Sequence, residues 1–158
     1  MVRRFAFEAE VWEKLEFVPL AVRRKLDRAG VKLSLAQWRA LGPGERLALC
    51  HLPCDTAEEL DALRLFLGEA VRRTSDEKLQ LLDNQQGAAS EVSPPPPILA
   101  ERAGALGFSL TQALWDRLDP DERYALAKLG GGREPRRNFA AALAELLGPH
   151  ATSKPRST

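Results

Sequence analysis

The segment CHLPC at residues 50–54 places two thiols and an imidazole close together in the sequence. Cys50, His51 and Cys54 could supply three metal ligands, whereas a structural zinc site needs four, usually in two spaced pairs. A redox pair is the alternative, but the spacing is not that of a Cys-x-x-Cys motif. If a helix ends near Leu52, His51 points away from Cys50. We therefore predict no metal site, and we interpret Cys50 as a buried residue on an apolar helix face with Cys54 in the following turn.

Two tryptophans and two arginines recur at equivalent places in the two halves of the chain. Trp38 and Trp115 could form a ligand platform, but apolar residues follow them at helical spacing, and we interpret both as core residues. Arg46 and Arg123 could hold local structure together, through an ion pair or by stacking on a neighbouring Trp. The functional alternative is a matched pair of anchors for an acidic partner.

Basic residues occur in short clusters, at 23–25, 72–73 and 133–137. Short helices joined by tight turns are typical of helix-turn-helix proteins, so DNA binding is an alternative function. Lys plus Arg number 23 and Asp plus Glu 22, however, which leaves a net charge of only +1. In each half a helix begins with acidic residues, whose charge has the wrong sign for contact with phosphates. The charge pattern therefore argues against a nucleic-acid partner.

Groups that could carry out catalysis are scarce. The sequence contains no glycine-rich phosphate loop after a strand and no Ser/His/Asp set, and the carboxylate pairs lie at predicted helix N-termini, where capping explains them. We predict no catalytic residue, no metal site and no cofactor. No run of about 18 apolar residues could form a membrane helix, and the first residues lack the apolar stretch of a signal peptide. We expect a cytoplasmic protein with reduced thiols.

The elements that must position these residues are predicted to be helices, because Ala, Leu, Arg and Glu dominate the sequence. Gly30 is expected to end a helix over 20–29 in a left-handed conformation. The strongest amphipathic pattern covers 57–73, with its apolar stripe formed by Leu60, Leu63, Leu67 and Val71. Residues 75–82 could extend this helix. Asn138 is a candidate N-cap for a last helix, Phe139 to Leu147, which Gly148 would end.

An internal repeat organises these helices. Residues 30–52 read GVKLSLAQWRALGPGERLALCHL, and residues 107–129, at an offset of 77, read GFSLTQALWDRLDPDERYALAKL; 11 of 23 positions are identical. We predict an all-α fold made of two tandem helical repeats, about 19–73 and 96–148, packed as one compact pseudo-symmetric domain over residues 1–150. Residues 84–97 would form a Pro-rich linker and 151–158 a disordered tail.

The chain resembles the nitrate-reductase-associated protein family over roughly residues 5–73 and 98–148. The resemblance is carried by FAFE at 5–8, PLAVRRKLD at 19–27, GVKLS at 30–34, LPC at 52–54, RYALAKL at 123–129 and NF at 138–139. It implies a non-catalytic accessory role, in which the protein helps assimilatory nitrate reductase become or remain active. Folding, insertion of the molybdenum cofactor into the reductase and docking of a redox partner are all compatible with this role.

The leading hypothesis is thus an accessory or maturation protein that binds nitrate reductase or another molybdenum-cofactor enzyme. The alternative is a nucleic-acid-binding regulator of nitrogen-assimilation genes. A third hypothesis is a small redox or metal protein that uses its two cysteines. For the leading hypothesis we predict a partner-binding surface that comprises Arg46, Pro53, Cys54, Arg123, Arg137 and Asn138.

Overall fold

The computed structural model describes residues 3–81 and 95–148, and these are mostly helical. A 3-10 helix at Ala6–Glu8 comes first. The elements that follow are α1 (Ala9–Lys14), α2 (Leu20–Ala29), β1 (Val31–Lys32), α3 (Leu35–Ala40), α4 (Pro43–His51), α5 (Ala57–Thr74), β2 (Gln80–Leu81), α6 (Pro97–Ala105), α7 (Gln112–Arg117), α8 (Pro120–Gly130) and α9 (Phe139–Leu147). Within the described ranges, no helix is both long and apolar enough to cross a membrane.

The described residues are mostly helical, as the prediction of an all-α fold requires, but they also contain a short sheet that was not predicted. Strands β1 and β2 form a short antiparallel pair, in which Val31 lies opposite Leu81. The predicted extension of a helix over 75–82 is wrong for the described part, because α5 ends at Thr74 and Ser75 is extended, with φ −142° and ψ 145°. The chain then returns beside Val31, a β-branched residue that suits a strand.

Two compact units make up the described chain. The first unit contains residues 3–4 and 8–81, and the second contains 5–7 and 95–148. The predicted tandem repeat, and its packing as one pseudo-symmetric domain, stay predictions. The predicted tail at 151–158 and most of the predicted linker at 84–97 lie outside the described residues, but Pro97 already belongs to α6.

In the first unit, α2 packs on α4, α5 and β1, and α3 packs on α5. The stripe predicted for α5 is confirmed, since Leu63, Leu67 and Val71 are buried and Leu60 packs against the same core. Trp38 is fully buried there, and its indole N–H donates to the carbonyl oxygen of Leu15 at 2.8 Å. The interpretation of Trp38 as a core residue is confirmed.

In the second unit, α8 packs on α6 and α9. Trp115 is fully buried, as predicted, together with Leu99, Leu126 and Leu143. The chain segment Phe5–Phe7 also belongs to this unit, and the backbone N–H of Phe7 donates to Oε1 of Glu145 at 3.0 Å. This long-range contact has no local signature in the sequence.

Local capping explains where the helices begin. In the first unit, α3 starts with a capping box between Ser34 and Gln37, and α5 with one between Thr56 and Glu59. In both units a proline opens the helix that carries the candidate arginine, α4 or α8. Helices α2, α3 and α4 begin at residues 20, 35 and 43, and α6, α7 and α8 begin 77 residues later, at 97, 112 and 120. The predicted left-handed Gly30 is confirmed, with φ 68°.

Candidate functional site

Side chains of α2 hold the turn that follows α4, residues 52–55, through hydrogen bonds to its backbone and to the end of α4. The ammonium group of Lys25 donates to the carbonyl oxygens of Leu49, Cys50 and Leu52, at 3.2, 2.6 and 2.6 Å. The last carbonyls of a helix have no partner within it and carry a partial negative charge. One lysine of α2 therefore satisfies the C-terminal end of α4 and fixes where the chain leaves it. We name residues 52–55 the first turn.

A second cation of α2 continues this support. Nε of Arg28 donates to the carbonyl oxygen of Cys54 at 2.9 Å, and Nη2 donates to that of Asp55 at 3.4 Å. The side chain of Cys54 is buried at 5% exposure, whereas Pro53 is exposed. Of the two predicted partner-binding residues in the first turn, Pro53 thus presents its side chain to the surface and Cys54 does not.

The two thiols are buried in the first unit, and both are free. Burial raises the pKa of Cys50, an effect that the nearby cations Lys25 and Arg4 partly oppose. Burial likewise raises the pKa of Cys54, with Arg24 the strongest opposing charge. His51 is exposed, as expected for a residue that points away from Cys50. Over residues 3–81 and 95–148, no group of three or more His, Cys, Asp or Glu side chains is placed to hold a metal ion.

The segment that follows α8 is held in a similar way by α6. Nη1 of Arg102 donates to the carbonyl oxygens of Gly130 and Gly132 at 2.5 and 2.6 Å, and Nη2 donates to that of Arg133 at 3.0 Å. Arg102 lies 77 residues after Lys25. The backbone N–H of Arg136 also donates to the carbonyl oxygen of Leu129 at 2.7 Å. We name residues 131–138 the arginine loop.

The side chains of the arginine loop face outward. Arg133, Arg136 and Arg137 are exposed, as are Glu134 and Pro135 between them. Asn138 is half-buried and occupies the N-cap position of α9, as predicted. Its backbone carbonyl accepts from the N–H of Ala142 at 2.9 Å, whereas its side chain makes no capping hydrogen bond to the described residues. Arg137 and Asn138 therefore share one surface loop.

The two recurring arginines act inside their own units. Arg46 donates to the carbonyl oxygens of Arg39, Leu41 and Leu15 at 2.7, 3.1 and 3.2 Å. Arg123 donates to that of Trp115 at 3.0 Å, and its guanidinium lies 5.8 Å from the centre of the Trp115 ring. Stacking on a neighbouring Trp, one of the local roles considered for this pair, thus describes Arg123. A role of either arginine as an anchor for a partner stays a prediction.

The predicted surface residues fall into separate groups within each unit. Arg46 lies in the first half of α4 and Pro53 beyond its end, so the second half of this helix lies between them. Arg123 and Arg137 are divided by α8 in the same way. The supporting role of Lys25, Arg28 and Arg102 was not predicted from the sequence. The signal for two of them was present, because the offset of 77 that relates the repeats also relates Lys25 to Arg102.

The chain matches a known protein family. The family model described as conserved nitrate reductase-associated protein covers residues 4–146, and so includes the first turn and the arginine loop. No curated protein and no solved structure matches the chain.

Proposed function

This chain belongs to the conserved nitrate reductase-associated protein family, and from that premise we propose that it is a non-catalytic accessory protein that binds assimilatory nitrate reductase and supports its activity. The match over residues 4–146 is the observation that carries the proposal, because it extends across both units. The protein would act in the cytoplasm, on the reductase or on another molybdenum-cofactor enzyme, and would itself hold no cofactor.

The geometry of the two surface segments supports a binding role. Both are tied down by hydrogen bonds from a helix of the same unit, through Lys25 and Arg28 in one case and Arg102 in the other. A segment that is already ordered loses less conformational entropy when a partner binds. Pro53 and Arg137, both exposed, would then each be presented in a fixed position within its own unit.

We further propose that the two units are diverged copies of one helical repeat. Three helix starts recur at the offset of 77, and the helix-end cations Lys25 and Arg102 follow the same offset. The last helices depart from it, since α5 begins at Ala57 and α9 at Phe139. A repeat would explain why the same kind of hydrogen bond supports two different surfaces.

Direct binding to purified nitrate reductase tests the proposed function. We expect the tagged protein to form a complex with the reductase in biolayer interferometry, and we expect nitrate reductase activity in cell extracts to fall when the gene for this chain is deleted. Re-expression of the wild-type chain should restore that activity. Failure to bind the apoenzyme and the cofactor-loaded enzyme, together with unchanged activity in the deletion strain, would contradict the proposal. Binding to duplex DNA in place of the reductase would favour the regulatory alternative.

A further inference from the structure

Three arginine side chains of the arginine loop do not contribute side-chain contacts to the described structure. Within the described ranges, the guanidinium groups of Arg133, Arg136 and Arg137 make no ion pair, side-chain hydrogen bond or ring contact. Several other arginines of the described residues do have such partners. Arg73 pairs with Glu45 at 3.5 Å, for example, and Arg39 lies over the ring of Phe17 at 5.1 Å.

The backbone that carries these side chains is fixed, in contrast to a solvated charged tail. Arg102 binds the carbonyls of Gly130, Gly132 and Arg133, and the N–H of Arg136 binds Leu129. The N–H of Phe139 donates to the carbonyl of Arg136 at 3.0 Å, which joins the loop to α9. The loop is thus anchored at its beginning, its middle and its end while its charges face solvent.

Charge is separated along α8 in the second unit. Acidic residues gather where α7 meets α8, at Asp116, Asp119, Asp121 and Glu122. The three arginines of the loop come after the other end of α8. This helix has 11 residues, a length of about 16 Å. The positive surface is therefore small and is bounded by negative charge in its own unit.

We propose that the arginine loop is a docking element for an acidic patch on a protein partner, with carboxylates paired to Arg133, Arg136 and Arg137. Guanidinium groups bind carboxylates with two parallel hydrogen bonds, and arginine is enriched among the residues that dominate interface energies. A small positive patch beside a negative one fits a discrete acidic site. It does not fit an extended polyanion such as duplex DNA, which would also meet the acidic end of the unit. The inference deepens the proposed function and rests on it only in taking nitrate reductase as that partner.

A pair of charge-matched variants tests this inference. The first replaces the loop cations (Arg133→Gln, Arg136→Gln and Arg137→Gln), and the second replaces three exposed cations elsewhere (Arg72→Gln, Lys78→Gln and Arg117→Gln). Each removes three positive charges. Binding to purified nitrate reductase is measured over a range of ionic strength, in parallel with binding to a labelled poly-glutamate peptide and to a labelled DNA duplex. Thermal unfolding checks that both variants fold.

We expect the loop variant to bind the reductase at least about tenfold more weakly at low salt and to lose most of the salt dependence, while the control variant binds within about twofold of wild type. Equal loss in the two variants would overturn the inference while leaving the proposed function standing. If the wild-type chain does not bind the reductase, the proposed function fails. Binding to the poly-glutamate peptide then tests the docking element separately. Loop-dependent binding of poly-glutamate would support the inference, whereas absence of binding, or preference for DNA, would overturn it.

Discussion

The first turn and the arginine loop use the same support to present different surfaces. Each follows a helix that a proline opens, and each is held by a cation from an earlier helix of the same unit, α2 or α6. Just after α4 the first turn buries the side chain of Cys54, whereas just after α8 the arginine loop exposes three arginine side chains. This difference teaches that similar support of the backbone by a cation is compatible with very different side chains on the outer side of the segment.

The two supporting cations also differ in a way that fits their targets. An ammonium group is a compact charge with three donors, and Lys25 contacts carbonyls that lie close together at the end of α4. A guanidinium spreads its donors over a plane, and Arg102 contacts carbonyls from Gly130 to Arg133 along a longer segment. All three bonds of Lys25 are partly buried, whereas two of the three made by Arg102 are exposed to solvent.

The largest expected effect comes from removing the buried support. In Lys25→Met the side chain keeps its apolar stem, but three carbonyls lose a charged donor where water reaches them poorly. We expect a loss of about 3 kcal/mol in the free energy of unfolding. Urea denaturation measures this loss. Lys32→Met, the same change at an exposed position, is the control and should alter stability by less than about 0.5 kcal/mol. Equal effects of the two changes would contradict a supporting role for Lys25.

A second prediction concerns the residue at the end of α4 in the first unit and of α8 in the second. Pro53 follows α4, and Gly130, at the offset of 77, still belongs to α8. A Cβ on Gly130 would lie 2.5 Å from Cε2 of Phe139 and 2.8 Å from Cδ2 of Leu99, and both of these side chains are buried. Gly130→Ala should therefore lower the free energy of unfolding by about 2 kcal/mol, because the core around it must shift.

Gly104 supplies the matched control for this substitution. It lies in α6 of the same unit, and a Cβ there would meet nothing within 4 Å. Gly104→Ala should stabilise the protein by roughly 0.5 to 1 kcal/mol, since alanine favours a helix over glycine. Opposite signs for the two substitutions in thermal unfolding would establish that close packing at Gly130 decides the first result. The same sign for both would contradict it.

A smaller loss of stability is expected from Arg102→Met. Water can replace the guanidinium at the exposed carbonyls of Gly132 and Arg133, so we expect a loss of about 1 kcal/mol, clearly less than for Lys25→Met. Hydrogen exchange should nevertheless become faster in the arginine loop, because its backbone loses three bonds. Arg117→Met is the control in the same unit. If Arg102→Met lowered the free energy of unfolding as much as Lys25→Met, solvent exposure of the hydrogen bonds would not explain the difference expected between the two cations.

Much of this architecture could be predicted from the sequence, because its determinants are local. Capping pairs such as Ser34 with Gln37, and Pro43 or Pro120 at a helix start, act within one turn of the chain. The helices predicted over 20–29, 57–73 and Phe139 to Leu147 agree with the structure to within one residue. Apolar spacing likewise identified the buried face of α5.

The features that the sequence did not reveal depend on distant contacts. Lys25 reaches carbonyls 24 to 27 residues away. Strand β1 pairs with β2 although α3, α4 and α5 lie between them in the sequence, and the backbone N–H of Phe7 donates to Glu145 across most of the chain. No local pattern encodes such contacts. Comparison of the repeats beyond their most similar 23 residues would have aligned Lys25 with Arg102 and indicated a shared role.

The smallest effect concerns the thiols, which are confined to the first unit. Ala127 and Gly131 stand at the offset of 77 from Cys50 and Cys54. Burial raises the pKa of both thiols in the folded protein, so the unfolded chain releases their protons at a lower pH. The stability that the neutral thiols provide is therefore fully present below the ordinary thiol pKa, about 8.5, and is lost as the pH rises above it.

Replacing both thiols should remove this alkaline sensitivity from the first unit. Near pH 8.5 we expect the wild-type chain to have lost at most about 0.4 kcal/mol per thiol relative to pH 7, and the variant Cys50→Ala with Cys54→Ala to lack that part of the loss. Urea denaturation of both proteins in reducing buffer at the two pH values measures the difference, and all other titrating groups are shared. A parallel decline in the two proteins would show that thiol burial does not contribute. A steeper decline in the wild type would instead identify the interior behind the first turn as a pH-sensitive part of the molecule with no counterpart behind the arginine loop.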